Sequence, residues 1–335
     1  MKFKFLILAI AITFLFNISI AQEKPLVVCT ASMIADLVNE LSGEEVEVKM
    51  IVPIGGDPHI YEPKPSDAQL AAKADLIFKN GLTFEGWLTE LLENSGTKAK
   101  IITVTEHIDA ITSQEYKGSS DPHAWMDASL VASGYIKSIR DALVELKPEA
   151  AEIFNFNYGV YKQQLEDLDK YIKEQVSSIP KNRRVLITSH DAFQYYGIRY
   201  GIQLESIIGT STDAQAQTSD IVRLKKLIKE RKVPAVFVES TIDPKMLKQI
   251  AADNGAVVGG KLFADSLGDE DSGADTYYKM MKSNTDKIVK ALKSGEAAVV
   301  LDENTASNST SFILYGILGL LLIGGFLLVL KSINK

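Results

Sequence analysis

The sequence predicts an α/β fold: two similar lobes, each a small β-sheet flanked by helices, joined by one long helix and followed by a C-terminal transmembrane helix. Three observations carry this expectation. Short apolar runs alternate with helical patterns from residue 26 to residue 293, the rhythm of strand–helix units. The runs form two sets of four, one in each half of that stretch. Between the sets lies a segment bounded by Pro148 and Pro180 whose apolar residues recur at helical spacing.

At the N-terminus, Lys2 and Lys4 precede a mainly apolar run over 5–20, and Ala21-Gln22-Glu23 follows it. A basic start, a short apolar core and a small residue before a polar stretch make a signal peptide over 1–21. The first lobe, 24–150, takes strands at 26–30, 46–52, 75–79 and 100–104, with helices at 33–41 and 66–72 between them. The linking helix, 151–179, places Tyr161, Leu165, Leu168, Ile172, Val176 and Ile179 on one face. Proline suits a first helical turn and ends a helix it cannot continue, so the segment between the two prolines reads as one rod of roughly 45 Å. A stiff crossing of this kind permits modest rocking and no wide hinge opening.

The second lobe, 181–293, takes strands at 184–188, 203–208, 235–239 and 256–261, with helices at 192–200, 219–231 and 244–254. Residues 294–311, rich in Ser, Asn, Ala, Glu and Gly, read as a flexible linker. Residues 312–330 carry no charge and come close to the ~20 needed to cross the hydrocarbon core. Lys331 and Lys335 follow, which puts the C-terminus inside. The expectation is an exported body tethered to the cytoplasmic membrane on its outer, periplasmic face.

At 335 residues the chain has room for two lobes once these ends are set aside. Its net charge of -7 argues against a nucleic-acid partner, which wants a basic face. The single cysteine, Cys29, excludes a disulfide framework and a thiolate-rich zinc site. It sits in an apolar run as a small core residue, and the preceding Val28 does not fit a lipid-anchoring cysteine.

Of the four histidines, two stand in the same tripeptide, Asp57-Pro58-His59 and Asp121-Pro122-His123. Histidine is the commonest metal ligand, and the preceding proline stiffens the loop that carries it. His59 follows the second strand, His190 follows the first strand of the second half, and Asp265 follows its last. Ligands of open α/β sheets bind outside the carboxyl ends of the strands, so two residues from each half converge on the cleft between lobes. Asp57, Asp121 and Asp191 beside the histidines serve either ring orientation or local turns. His107 lacks such context and reads as a structural or surface residue.

In Pro53-Ile54-Gly55-Gly56-Asp57-Pro58-His59 with Tyr61-Glu62-Pro63, in Asp121-Pro122-His123-Ala124-Trp125, in Ser189-His190-Asp191-Ala192-Phe193 and in Val238-Glu239-Ser240 before Phe263-Ala264-Asp265-Ser266, the chain resembles the metal-binding receptors of ABC importers for zinc, manganese or iron. The resemblance spans roughly residues 26–292. It implies two α/β lobes joined by one helix and one metal ion held between them by His59, His123, His190 and Asp265. It also implies a monomer that delivers its ion to a membrane permease and is not an enzyme. Many members of the family carry a lipid on an N-terminal cysteine, for which the C-terminal span substitutes here. Members dedicated to zinc often have a His-rich loop, absent here, and manganese-preferring members usually have glutamate where this chain has His190.

Three imidazoles and one carboxylate form a borderline donor set, favouring zinc with manganese next. The rival readings are a metal-dependent hydrolase, with three ligands, an open water position and Glu62 or Glu239 as base, and a metal-stabilised adhesin. Four closed ligands and a membrane tether favour capture over catalysis.

Overall fold

The computed structural model describes residues 23–112, 120–213 and 215–294. The expected signal peptide (1–21), the linker beyond Ser294 and the span at 312–330 lie outside the described residues. Among the described residues, no helix is long and apolar enough to cross a membrane.

The first half is a four-stranded parallel sheet of β1 (Leu26–Cys29), β2 (Glu47–Met50), β3 (Leu76–Lys79) and β4 (Lys100–Thr103), in the order β2-β1-β3-β4. Helices α1 (Ser32–Ser42), α2 (Pro65–Lys73) and α3 (Leu88–Ser95) cover it. Alternate side chains of a strand point to opposite faces. In β1, Val27 and Cys29 therefore enter the main core with Met33, Leu37 and Leu41 of α1. Val28 enters a smaller core with Ala71, Leu88 and Leu91 of α2 and α3. Burial on both faces is why the strand reads as an unbroken apolar run.

The second half repeats the plan with β5 (Val185–Thr188), β6 (Gln203–Ser206), β7 (Ala235–Glu239) and β8 (Val257–Leu262). They form two parallel pairs, β5–β6 and β7–β8, and β5 lies alongside β7. The spatial order β6-β5-β7-β8 mirrors the first sheet. Helices α6 (Gln194–Tyr200), α7 (Thr218–Arg231) and α8 (Lys245–Asn254) fall within two residues of their expected bounds.

Between the halves runs α5 (Ala151–Ser177), 27 residues and about 40 Å long. Pro148 opens a separate short turn ahead of it, so the rod is slightly shorter than the sequence suggests. Tyr161, Leu165, Leu168, Ile172 and Val176 are buried as one stripe. The stripe packs on α1 and on α4 (Ile136–Leu146) of the first half and on α6 and α9 (Tyr277–Ser294) of the second. Arg184 closes the helix end by donating to the carbonyls of Ser177 (2.7 Å) and Ile179 (2.9 Å), which have no intrahelical partners.

Three helical stretches escaped the sequence reading: α3, the run through α4, and α9. Before α4 the chain passes through a wider, π-type turn at Val131–Tyr135, which shifts the 3.6-residue period that would reveal it. In α9 the buried face includes Asn284 and Thr285 among Met280, Met281, Ile288 and Val289, so polar residues interrupt its stripe.

The stripe on α5 yields a stability test. Leu168→Ala should cost about 2–5 kcal/mol, because the leucine is fully buried. Phe156→Ala, on the opposite face and 71% exposed, should change stability by less than about 0.5 kcal/mol. Urea unfolding of the two variants checks this; equal losses would mean that α5 does not join the halves through that stripe.

Candidate metal centre

His59, His190 and Asp265 are each delivered by a loop that leaves the carboxyl end of a strand. His59 follows β2 on a loop that turns at Gly55, whose φ of 80° suits glycine. The Gly55 N–H donates to Ser266 Oγ of the second half (2.7 Å), and Trp87 Nε1 donates to the Pro58 carbonyl (2.7 Å). His123 heads a short turn, Ala124–Met126. Asn80 Nδ2 donates to the Pro122 carbonyl (3.0 Å) and Tyr135 donates to Asn80 Oδ1 (2.8 Å). The buried Glu85 carboxylate accepts from the N–H groups of Asn80 (2.7 Å) and Gly81 (3.0 Å) and from Thr30 Oγ1 (2.6 Å).

On the other side, His190 stands just beyond β5, and its N–H donates to Glu239 Oε1 at the end of β7 (2.8 Å). Asp265 stands just beyond β8. Asn284 of α9 brackets the approach by accepting from Phe263 N–H (3.0 Å) and donating to Phe263 O (2.6 Å). Trp125 Nε1 then donates across the cleft to the Ala264 carbonyl (3.0 Å), tying the His123 loop to the Asp265 loop.

The structure brings His59, His123, His190 and Asp265 together with one donor atom from each within 4.8 Å of the others. The Nε2 atoms of His59 and His123 are 3.2 Å apart. Asp265 approaches His190 Nε2 at 3.0 Å, His123 Nε2 at 3.4 Å and His59 Nε2 at 3.8 Å. His123, His190 and Asp265 are fully buried, and His59 is the partly open member. Two outer carboxylates turn Nε2 inward by occupying Nδ1: Asp121 for His123 (2.8 Å) and Glu239 for His190 (2.7 Å).

Asp57 and Asp121 both accept from the N–H of the histidine two residues on, each at 2.9 Å, so the paired tripeptides are paired turns. Only Asp121 also orients a ring among the described contacts. Asp191 holds Gln194 instead of its neighbour His190. The residue that orients His190 is Glu239, which the sequence reading considered only as a catalytic base. Its signal was a carboxylate closing the continuous apolar run of β7. His107 is exposed and away from the cluster, and Glu62 is exposed as well.

The electrostatics are those of a site waiting for positive charge. Neither oxygen of Asp265 and neither ring nitrogen of His190 has a well-directed hydrogen-bond partner among the described residues. Burial disfavours charge on Asp265, but His190 and His123 outweigh it and hold the carboxyl well below the usual range. Burial also works against charge on His123 and His190. The carboxylates of Asp121 and Asp265 lift His123 to about 9, and those of Glu239 and Asp265 raise His190 well above the usual histidine value. Burial dominates at His59 and takes it down to about 3. The shifts at His123 and His190 thus favour protons on both rings beside Asp265. A cation held by three imidazole nitrogens and a carboxylate would meet the same charge with better-directed bonds.

Residues 27–291 match the family described as "Zinc-uptake complex component A periplasmic". The manganese-binding lipoprotein MntA of Halalkalibacterium halodurans is 38% identical over 266 residues, covering 79% of this chain and 88% of its own. The manganese ABC transporter substrate-binding lipoprotein PsaA of Streptococcus anginosus is 36% identical, over 81% of this chain and 90% of its own. Among solved structures, the periplasmic zinc binding protein TroA of Treponema pallidum superposes with a TM-score of 0.76 at 36% identity, covering 80% of this chain and 99% of that one. A Mn-bound periplasmic metal binding protein from Candidatus Liberibacter asiaticus gives 0.74 at 29% identity, over 80% and 100%. All four are named for metals or metal binding, and PsaA for substrate binding in an ABC transporter. With its buried cluster of three histidines and an aspartate, the chain belongs to the zinc- and manganese-type metal-binding family of ABC-importer substrate-binding proteins.

Proposed function

We propose that this protein captures one divalent transition-metal ion between its halves and hands it to the permease of an ABC importer. The observation that carries the reading is the buried convergence of His59, His123, His190 and Asp265, in which Asp265 and His190 have no well-directed partner among the described residues. The ion is cargo, so a closed set of four ligands suits it better than a catalytic site with an open water position. Glu239 is committed to His190 and Glu62 is exposed, which leaves the hydrolase reading without a base. Three imidazoles favour zinc in affinity, and the carboxylate keeps manganese within range; supply decides which ion is loaded. The relatives' names include both metals.

The working unit on this reading is a monomer, with lobes at 24–150 and 181–293 bridged by 151–179. Its export rests on the 1–21 pattern, and its attachment rests on the uncharged run 312–330 with Lys331 and Lys335 behind it. Curated relatives are named as lipoproteins; here Val28 precedes the single cysteine, and a C-terminal span serves the same end of keeping the receptor near its permease. A metal-stabilised adhesin has no comparable observation in its favour.

Two experiments test these statements. Elemental analysis of the purified body should find one ion per chain in the wild type and a loss of at least tenfold in affinity for His59→Ala or His123→Ala. Full metal content in the double variant would remove the site. Fractionation of cells making the full chain should leave it in membranes after a carbonate wash; release into the wash would rule out the C-terminal span.

A further inference from the structure

Outside the four buried donors lies a cavity of about 420 Å³, open to solvent. Its lining comes from both halves: His59, Thr83 and Ser120 from the first, Thr210, Ser211 and Asp213 from the second. One of the four donors, His59, reaches it. His123, His190 and Asp265 lie behind that ring, fully buried.

We propose that this cavity is an outer subsite that holds a hydrated divalent cation through its water shell, before the ion exchanges water for the buried donors. The inference rests on the metal-capture reading above and adds a step in front of it. Three features support it. The first is room: six waters occupy roughly 180 Å³, so a hexahydrated ion fits the cavity as a unit. The second is chemistry. Metal-bound waters are strong hydrogen-bond donors, and beside Pro122 the described lining offers hydroxyl oxygens and the exposed carboxylate of Asp213, with no lysine or arginine among the described lining residues. Hydroxyls are weak direct ligands for zinc or manganese beside imidazole, so they hold the shell without stripping it.

The third feature is the rim. Gly81, Leu82 and Thr83 have successive φ values of 86°, 53° and 68°. A β-branched residue in the left-handed region is strained, by about 1–3 kcal/mol. The strain is held by Glu85, which accepts from the N–H of Gly81, and it places Thr83 on the cavity wall. The next residue, Phe84, packs edge-on against His59 with ring centroids 4.8 Å apart. The same turn therefore lines the subsite and steadies the ring that faces it.

A carboxylate at the mouth acts on arrival and not on the final coordination. Asp213 should set the association rate and leave the dissociation rate alone. The test is stopped-flow zinc binding to the wild type, Asp213→Asn, Asp213→Glu and Asp213→Lys at two salt concentrations. Trp87 and Trp125 serve as reporters, since the first bonds to Pro58 and the second lies 5.2 Å from the His123 ring. Asp213→Asn should slow association about three- to tenfold at low salt and less at high salt. Asp213→Glu should restore the rate, Asp213→Lys should slow it further, and every variant should still bind one ion. Equal association rates across the series at low salt would overturn the proposal. So would an effect confined to dissociation, which would make Asp213 a contact of the bound state. A wild type that takes up no zinc would instead remove the capture reading itself, and a His123→Ala control that loses zinc separates the two outcomes.

Discussion

A buried carboxylate without directed hydrogen bonds is the constraint around which this molecule is arranged. Asp265 sits at the junction of the two halves, and an unpaired charge there would cost several kcal/mol. Three imidazoles surround it, and they can meet the charge in two ways: by carrying protons or by sharing a cation. Either way the rings must be held with Nε2 inward. That requirement accounts for the Asp121 and Glu239 carboxylates behind two of them, and for the Glu85–Asn80 network that fixes the loop of the first.

Holding donors from both halves within one small volume also requires that the halves not drift. The cross-cleft bonds from Trp125 to Ala264, from Gly55 to Ser266 and from the Leu267 N–H to Ser32 all lie near the site. Asp36 of α1 accepts from Tyr277 N–H at the start of α9, and α5 backs the whole junction with a buried stripe. Each bond contributes on the order of 1 kcal/mol, and together with the helix they tie the two halves at the site.

Much of this was legible in the sequence because it depends on local signals. Strands buried on both faces leave continuous apolar runs, and the α5 stripe repeats at three and four residues from Tyr161 to Val176. The histidines were rare enough to count, and two shared a tripeptide. Asp265, one of 43 acidic residues, stood out only through its place after the last strand and through the family resemblance. What stayed hidden depends on partners distant in the chain. Glu239 meets His190 only after β5 and β7 come side by side, and Asn284 reaches Phe263 only once α9 packs on β8. Helix α9 itself was masked because its buried face spends two positions on polar residues with long-range work to do.

The claim that a metal replaces protons at one buried carboxylate cluster is tested most directly by counting protons on loading. The neighbouring carboxylates hold His123 at about 9 and raise His190 well above the usual histidine value, which favours protons on both rings at pH 7, and both must be neutral to bind. Calorimetric titration with zinc in buffers of different ionisation enthalpy should give a release of roughly two protons per ion at pH 7, falling as pH rises through about 9. Affinity should climb with pH over the same interval. A release near zero at pH 7, with affinity flat from pH 6 to 9, would contradict the account.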